Sequence, residues 1–421
     1  MINGGLLFLQ TMNTLLSVVI PTHNRARYAI HAITSLLAIS STELEIVVSD
    51  TSTDGELSDQ LTARTSQFPN DPRLKYVRPD GLLDMTGNHN AAIKVATGEY
   101  VCLIGDDDTI TADALLAAAW AKGRGIEVIA PNVVANYVWP DFRSRLMGAG
   151  HASRLYFAKR FGDALLHDSA TALASALRNA AQGTDGLPKI YHGIVKRAVL
   201  ERIRESSGAY FHGSSPDVSG AIGLALCSTS FVVVDYPLTI PGASGGSNTG
   251  RSAMNTHKGK LSQESQTQGF EAGGWSQGVP RFFSVETVWA HAALETIRRI
   301  APLQVVAFNF ARLIAVCHVL HSEYASEIDQ ASVEVEHILG ITATMLHGHI
   351  SVEMKRFRHE RLIRFVKRLA RPTAAGGRAY VSGLDTIAAA PEALAQHMAR
   401  LGRRWEQTAD SLTATPAQLS R

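Results

Sequence analysis

The chain has 421 residues, of which 45% are hydrophobic and 19% charged, with a net charge of +2. That composition gives ample core for one large or two ordinary domains and excludes wholesale disorder. No run of about 18 apolar residues is present, so any membrane contact is expected to be peripheral, and the near balance of charge leaves only local basic segments to meet an anionic surface. Cys102, Cys227 and Cys317 are widely spaced, without a zinc-like or paired pattern, which suits free thiols in a reducing, cytoplasmic compartment.

Residues 1–14 read as an N-terminal extension. Leu6 to Leu9 are apolar but have neither the basic flank nor the cleavage site of a signal peptide, and Met12 could be the start. From Leu15, short β-branched runs alternate with helical segments. Strands are expected at 15–20, 44–48, 74–77, 100–104 and 126–130, with helices at 28–39, 56–68, 88–96 and 112–122. This alternation implies βαβ units and a mainly parallel sheet, in which ligands sit beyond the carboxyl ends of the strands. The polar clusters fall at those ends. Residues 133–241 are less regular, residues 242–283 form a Gly/Ser-rich segment expected to be a flexible loop or lid, and residues 284–421 read as a helical region.

The apolar run Tyr100 to Ile104 ends in Gly105 and then Asp106-Asp107-Asp108. Three adjacent carboxylates repel one another unless a cation joins them, and hard divalent ions take such oxygen ligands. A solvated acidic turn capping the helix after Ala112 is the bland alternative.

Four stretches then agree in order and spacing: Ser17 to Arg25 (SVVIPTHNR), Ile46 to Asp54 (IVVSDTSTD), Gly87 to Ala92 (GNHNAA), and Ala96 to Tyr100 leading to the Asp triplet. Together they resemble family 2 glycosyltransferases over roughly the first 130 residues. The resemblance implies an α/β GT-A-type fold, a mainly parallel sheet flanked by helices, here with a C-terminal all-helical extension. It also implies a nucleotide-diphospho-sugar donor with UDP-sugar favoured, Mn²⁺ or Mg²⁺, and inversion at the anomeric carbon. The nucleotide-sugar half would be residues 15–132 and the acceptor half residues 133–241.

Mapped onto this sequence, the resemblance puts Pro21, Thr22 and Arg25 against the nucleotide, Asp50 on the base, and Asn90 on the nucleotide sugar or diphosphate. His89 stands where relatives often carry Arg. The triplet is the DxD-type motif, in which Asp108 is expected to ligate the metal with Asp106 as a water-mediated or ribose contact; Asp107, also a nucleotide-sugar contact, is the competing ligand. Relatives often read Asp-x-Asp-Asp, and in that alignment Gly105 takes the first Asp position. Inversion requires a base on the acceptor hydroxyl; Asp217, after Ser215-Pro216 at a helix start, fits, with helix capping as its bland role. Tyr191 and His192 are candidates for the acceptor side. His257, in the Gly/Ser-rich segment, is a candidate to complete the metal shell.

The basic stretch 354–369 is amphipathic, with Phe357, Leu362, Phe365, Val366 and Leu369 near one side. It is expected to pack on other C-terminal helices or a second subunit; the alternative is an anionic membrane surface at the inner face, which suits a lipid-linked acceptor. Without aromatic platforms between the basic residues, it does not read as a nucleic-acid surface. The competing functions are a catalytically degenerate nucleotide-binding or scaffold protein, and a sugar-nucleotide nucleotidylyltransferase. The latter needs a Gly-rich, Arg-containing loop after the first strand, and Thr22 to Arg25 is not one.

Overall fold

The computed structural model describes residues 14–63, 71–145, 147–158, 161–247, 258–264, 267–270, 272–369 and 378–412. Its centre is an eight-stranded sheet whose spatial order is Leu74–Val77, Leu44–Asp50, Leu16–Thr22, Tyr100–Leu103, Ile194–Lys196, Val128–Pro131, Ser230–Val234 and Ala164–Asp168. All pairings are parallel except those made by Ile194–Lys196 and Ala164–Asp168. Every residue of the Leu16–Thr22 and Leu44–Asp50 strands is buried, as β-branched runs covered by helices on both faces must be. The helices Ala26–Leu37, Met85–Val95 and Asp113–Arg124 fall where the spacing predicts them, within three residues at each end. The α/β class is therefore the expected one.

Register fixes the site. Thr22 is opposite Asp50 at the carboxyl ends of the first two strands, and Val19 is opposite Leu103, just ahead of the Asp triplet. Parallel neighbours carry their polar exits to the same edge.

At the opposite end of these strands, Glu45 is only 4% exposed and accepts hydrogen bonds from Ser17 Oγ (2.5 Å), Thr97 N (2.8 Å) and Thr97 Oγ1 (2.6 Å), and pairs with Lys75. Burial raises its carboxyl, but the bonds from Lys75, Ser17 and Thr97 outweigh that and leave it below the ordinary glutamate value. A carboxyl depressed in the folded state adds stability above its unfolded pKa and loses it as pH falls through the folded value. Glu45→Gln is therefore expected to cost about 2–4 kcal/mol at pH 7. Urea unfolding at pH 7 and at pH 4 should show that gap narrowing in acid.

Two expectations for the second half need correction. Residues 242–283 are not a uniformly loose linker: Gly242–Ala243 pairs with the Ala135–Val138 strand, and Trp275, Val279, Phe282 and Phe283 are buried in the core of the C-terminal helices. Glycine and serine dominate the segment's composition, but its last third carries the aromatic residues that anchor it. Residues 284–421 are mostly helical, yet Ala379–Ser382 is a strand antiparallel to Arg154–Phe157. Beyond it Leu394, Met398, Trp405 and Leu412 bury in the same core as Leu16 and Ile46. The chain thus returns to the sheet domain after building its helices.

The long helix Ala343–Leu369 also departs from expectation. Phe357 is buried, whereas Leu362, Phe365 and Val366 are 58%, 61% and 57% exposed. The described helices of the chain leave that end of the apolar side uncovered. No helix among the described residues is long and apolar enough to cross a membrane.

Candidate active site

The Asp triplet is buried, with Asp106, Asp107 and Asp108 at 6%, 5% and 2% exposure. Arg25, at the start of the first helix, neutralises part of it. Its Nε lies 2.6 Å from Asp106 Oδ1 and its terminal nitrogen 3.0 Å from Asp107 Oδ2, while Thr22 Oγ1 donates to Asp106 Oδ2 at 2.7 Å. Burial opposes the Arg25 charge, but Asp106 and Asp107 prevail and raise its pKa. Burial and then the charge of Asp108 push Asp107 up to about 7, against the pull of Arg25, and burial also raises Asp106.

Asp108 is different. Its Oδ2 accepts from Gly105 N (2.7 Å) and Tyr191 Oη (2.9 Å) and lies 3.3 Å from His192 Nε2; its Oδ1 accepts from Gly242 N (2.6 Å). Burial would raise it, but the imidazole and these hydrogen bonds lower it instead. Asp107 Oδ1 is the triplet oxygen left without a hydrogen bond among the described residues, since its Oδ2 holds Ser244 Oγ (2.5 Å) and Arg25.

A Cβ on Gly105 would lie 2.4 Å from the Tyr191 hydroxyl and 2.9 Å from Asp108 Oδ2. The departure from Asp-x-Asp-Asp is thus compensated: Tyr191 fills the space beside Gly105 and donates to Asp108. Tyr191 and His192, expected on the acceptor side, brace the triplet instead. His192 holds a left-handed φ of 63° and keeps Nδ1 buried without a partner among the described residues.

Asp50 sits at the end of its strand, 1% exposed, where Oδ1 accepts from Ser52 N (2.8 Å) and Oδ2 from Tyr76 Oη (2.7 Å). Pro21 is the strand residue before Thr22, paired with Ser49. Asn90 is not directed to this edge. Its Nδ2 donates to Thr86 O (3.1 Å) and Phe211 O (3.0 Å), and its Oδ1 accepts from Tyr210 N and Phe211 N, both at 3.0 Å. All its hydrogen-bonding capacity is spent on backbone, so it positions residues 210–211. Its neighbour Asn88 ties the helix to the strand ends through Thr22 O (3.1 Å), Ser49 O (3.2 Å) and Ser49 Oγ (2.7 Å).

The same helix meets the candidate base. Thr86 Oγ1 donates to Gly213 O at 2.7 Å, a few residues before the helix Pro216–Cys227. Asp217 lies in that helix's first turn, partly exposed; its Oδ1 accepts from Ser215 Oγ and its Oδ2 has no hydrogen bond among the described residues. It makes no side-chain cap. His89 bonds Met85 O (2.7 Å), and burial lowers its pKa to about 4 despite the nearby Asp217 charge, so it stays neutral beside that carboxylate. His257 lies outside the described residues.

Sequence reading missed Ser244, Trp139 and Asn88. Trp139 Nε1 donates to Asp107 O at 3.0 Å. Gly242 comes so close that a Cβ there would lie 1.8 Å from Asp107 O. Asn88 stood in the GNHNAA stretch without a role, Gly242 and Ser244 were signalled only by the Gly-x-Ser directly after Pro241, and nothing in the sequence marked Trp139.

Among the described residues no three His, Cys, Asp or Glu side chains converge as a metal cage. The hard oxygen of Asp107 does fit a divalent ion that takes most of its shell from water and phosphate.

The sequence model of glycosyl transferase family 2 matches residues 17–172. The putative colanic acid biosynthesis glycosyl transferase WcaA of Escherichia coli is 38% identical over 104 residues, which is 24% of this chain and 36% of that protein. Chondroitin synthase of Escherichia coli is 25% identical over 160 residues (34% and 23%). The GalNAc(5)-diNAcBac-PP-undecaprenol beta-1,3-glucosyltransferase of Campylobacter jejuni is 34% identical over 101 residues (24% and 32%). These matches span about a third or less of each relative's length. Among solved structures, S. aureus TarS 1–349 in complex with UDP-GlcNAc aligns with a TM-score of 0.42 at 18% identity, covering 78% of this chain and 93% of that one. The segment 17–172, which carries Thr22, Arg25, Asp50 and the Asp triplet, is the part of the chain that matches glycosyl transferase family 2.

Proposed function

We propose that the chain is an inverting glycosyltransferase that moves a sugar from a nucleotide-diphospho-sugar, with UDP-sugars favoured, to a hydroxyl of a saccharide or lipid-linked acceptor in glycan assembly. The observation that carries this reading is the meeting of Thr22, Arg25 and Asp106 to Asp108 at one sheet edge, inside the family segment. The relatives named for colanic acid biosynthesis, chondroitin synthesis and glucosyl transfer support the glycan class.

In this mechanism Asp50 accepts a ring N–H of the base, and the Arg25 guanidinium swings its charge from the carboxylates to the diphosphate. Asp107 Oδ1 is the group that would hold Mn²⁺ or Mg²⁺, displacing the expected Asp108, whose oxygens already hold backbone amides, Tyr191 and His192. When bound, such an ion neutralises charge on the leaving nucleoside diphosphate. Asp217 Oδ2 takes the acceptor hydroxyl proton as the oxygen attacks C1 from the face opposite the leaving group. Tyr191 beside Gly105 argues against a degenerate binder, because the altered motif is rebuilt with a specific partner. The exposed Leu362, Phe365 and Val366, with Lys355 and Lys367 on the same helix, favour peripheral contact with an anionic membrane on the cytoplasmic side, where lipid-linked acceptors are presented.

Thermal unfolding with a panel of nucleotide sugars, with Mn²⁺ and with EDTA, tests the reading. One UDP-sugar with Mn²⁺ should raise Tm by about 5 °C at a hundredfold excess over Kd, and slow donor hydrolysis should appear only with metal. No shift and no hydrolysis with any nucleotide sugar would overturn it.

A further inference from the structure

We propose that a cavity among the C-terminal helices, walled by Trp289, Arg312, Arg361 and Arg364, is a second ligand site that takes an anionic saccharide unit, one bearing a phosphate or carboxylate. The cavity measures ≈ 470 Å³ and lies between the helices Val285–Ile300, Phe310–Leu320 and Ala343–Leu369. None of these elements supplies the carboxylate site at the sheet edge.

The charge of its walls is uneven in a specific way. Glu286 accepts from His321 at 2.8 Å, and Glu360 pairs with Arg312 and Arg356, so both acids are already compensated. Arg361 and Arg364 have no carboxylate partner among the described residues, and Arg364 lies over the Phe357 ring at 5.8 Å. Arg312 is 3% exposed, lies over the same ring at 5.0 Å and is paired with Glu353 and Glu360, so the uncompensated charge at the cavity is that of Arg361 and Arg364. Planar guanidinium forks match phosphate and carboxylate oxygens.

The saccharide part of the assignment rests on Trp289. It lines the cavity, is partly exposed, and its indole N–H makes no hydrogen bond among the described residues. A partly exposed indole beside amide side chains, here Asn179 and Gln182, offers an apolar platform with polar edges, which suits a sugar ring better than a bare ion. The helix that bears Trp289 also carries Val288 and Ala292, which touch Ser214 and Gly213 just ahead of Asp217. The cavity is thereby joined through one helix to the acceptor side of the proposed reaction, and its occupant is a remote unit of the acceptor. This last clause rests on the transfer reading; the binding site itself does not.

Calorimetric titration of the full chain without donor tests it, with glucose 6-phosphate, glucuronic acid, glucose and inorganic phosphate as probes. Both charged sugars should bind at least tenfold tighter than glucose and tighter than phosphate. The exposed double variant R361Q/R364Q should lose at least tenfold for the charged sugars alone with unchanged melting, and Trp289→Ala, which also gives up packing on the helical core and should melt lower, should lose affinity for every sugar. Phosphate binding as tightly as glucose 6-phosphate would overturn the saccharide assignment, and affinities unchanged in both variants, or no binding at all, would overturn the site. Because no donor is present, failure here leaves the transfer reading standing.

Discussion

Asp217→Asn is expected to lower sugar transfer by about 10²- to 10⁴-fold, the usual contribution of a positioned general base, while donor affinity and melting temperature stay close to those of the parent. The substitution keeps the size of the side chain and an oxygen able to accept from Ser215, so the first turn of Pro216–Cys227 is preserved. What it removes is the lone pair that can carry a proton. The competing role, a favourable charge at a helix N-terminus, is worth only about 0.3–1 kcal/mol and would show as a small loss of stability with full turnover. Initial rates with saturating donor, together with thermal melts, separate the two. Turnover within a factor of three of the parent would remove Asp217 from the chemistry.

The parallel sheet and the strand-end location of the site were legible because burial on both faces demands continuous β-branched runs, and the runs at 15–20, 44–48 and 100–104 have them. That Thr22 and Arg25 come up against the Asp triplet was legible for the same reason, since the exit of the first strand lies beside that of the fourth. The bonding of Asn90 was hidden because helix position alone does not say which way a side chain is claimed; three of its four bonds, those to Tyr210 and Phe211, reach 120 residues or more along the chain. The roles of Ser244 and Gly242 were equally hidden, because composition marked their segment as loose while pairing with Ala135–Val138 draws it over the carboxylates. The amphipathic pattern of residues 354–369 was visible, but periodicity identifies an apolar side without saying whether the chain itself covers it.

Within the triplet, Asp107→Asn and Asp108→Asn are expected to fail in opposite ways. Asp107 contributes an oxygen that nothing in the described chain holds, and both burial and its acidic neighbours disfavour its charge. Its neutral amide should leave the melting temperature of the metal-free protein unchanged or raise it by a few degrees. Transfer should nevertheless fall by about 10²-fold or more, and thermal stabilisation by Mn²⁺ with donor should vanish, because a carboxylate that assists the leaving group is gone. Asp108 contributes charge to the Gly105 and Gly242 amides, the Tyr191 hydroxyl and the His192 imidazole, all inside the protein. An amide there cannot accept at both ends, so at least one buried donor loses its partner, and the loss should be about 2–4 kcal/mol even without metal or donor. Urea unfolding of the metal-free variants measures the first difference and Mn²⁺-dependent melting the second. If Asp108→Asn keeps full stability while losing the metal response, and Asp107→Asn keeps the response, the ligand is Asp108 and the free oxygen of Asp107 has another use.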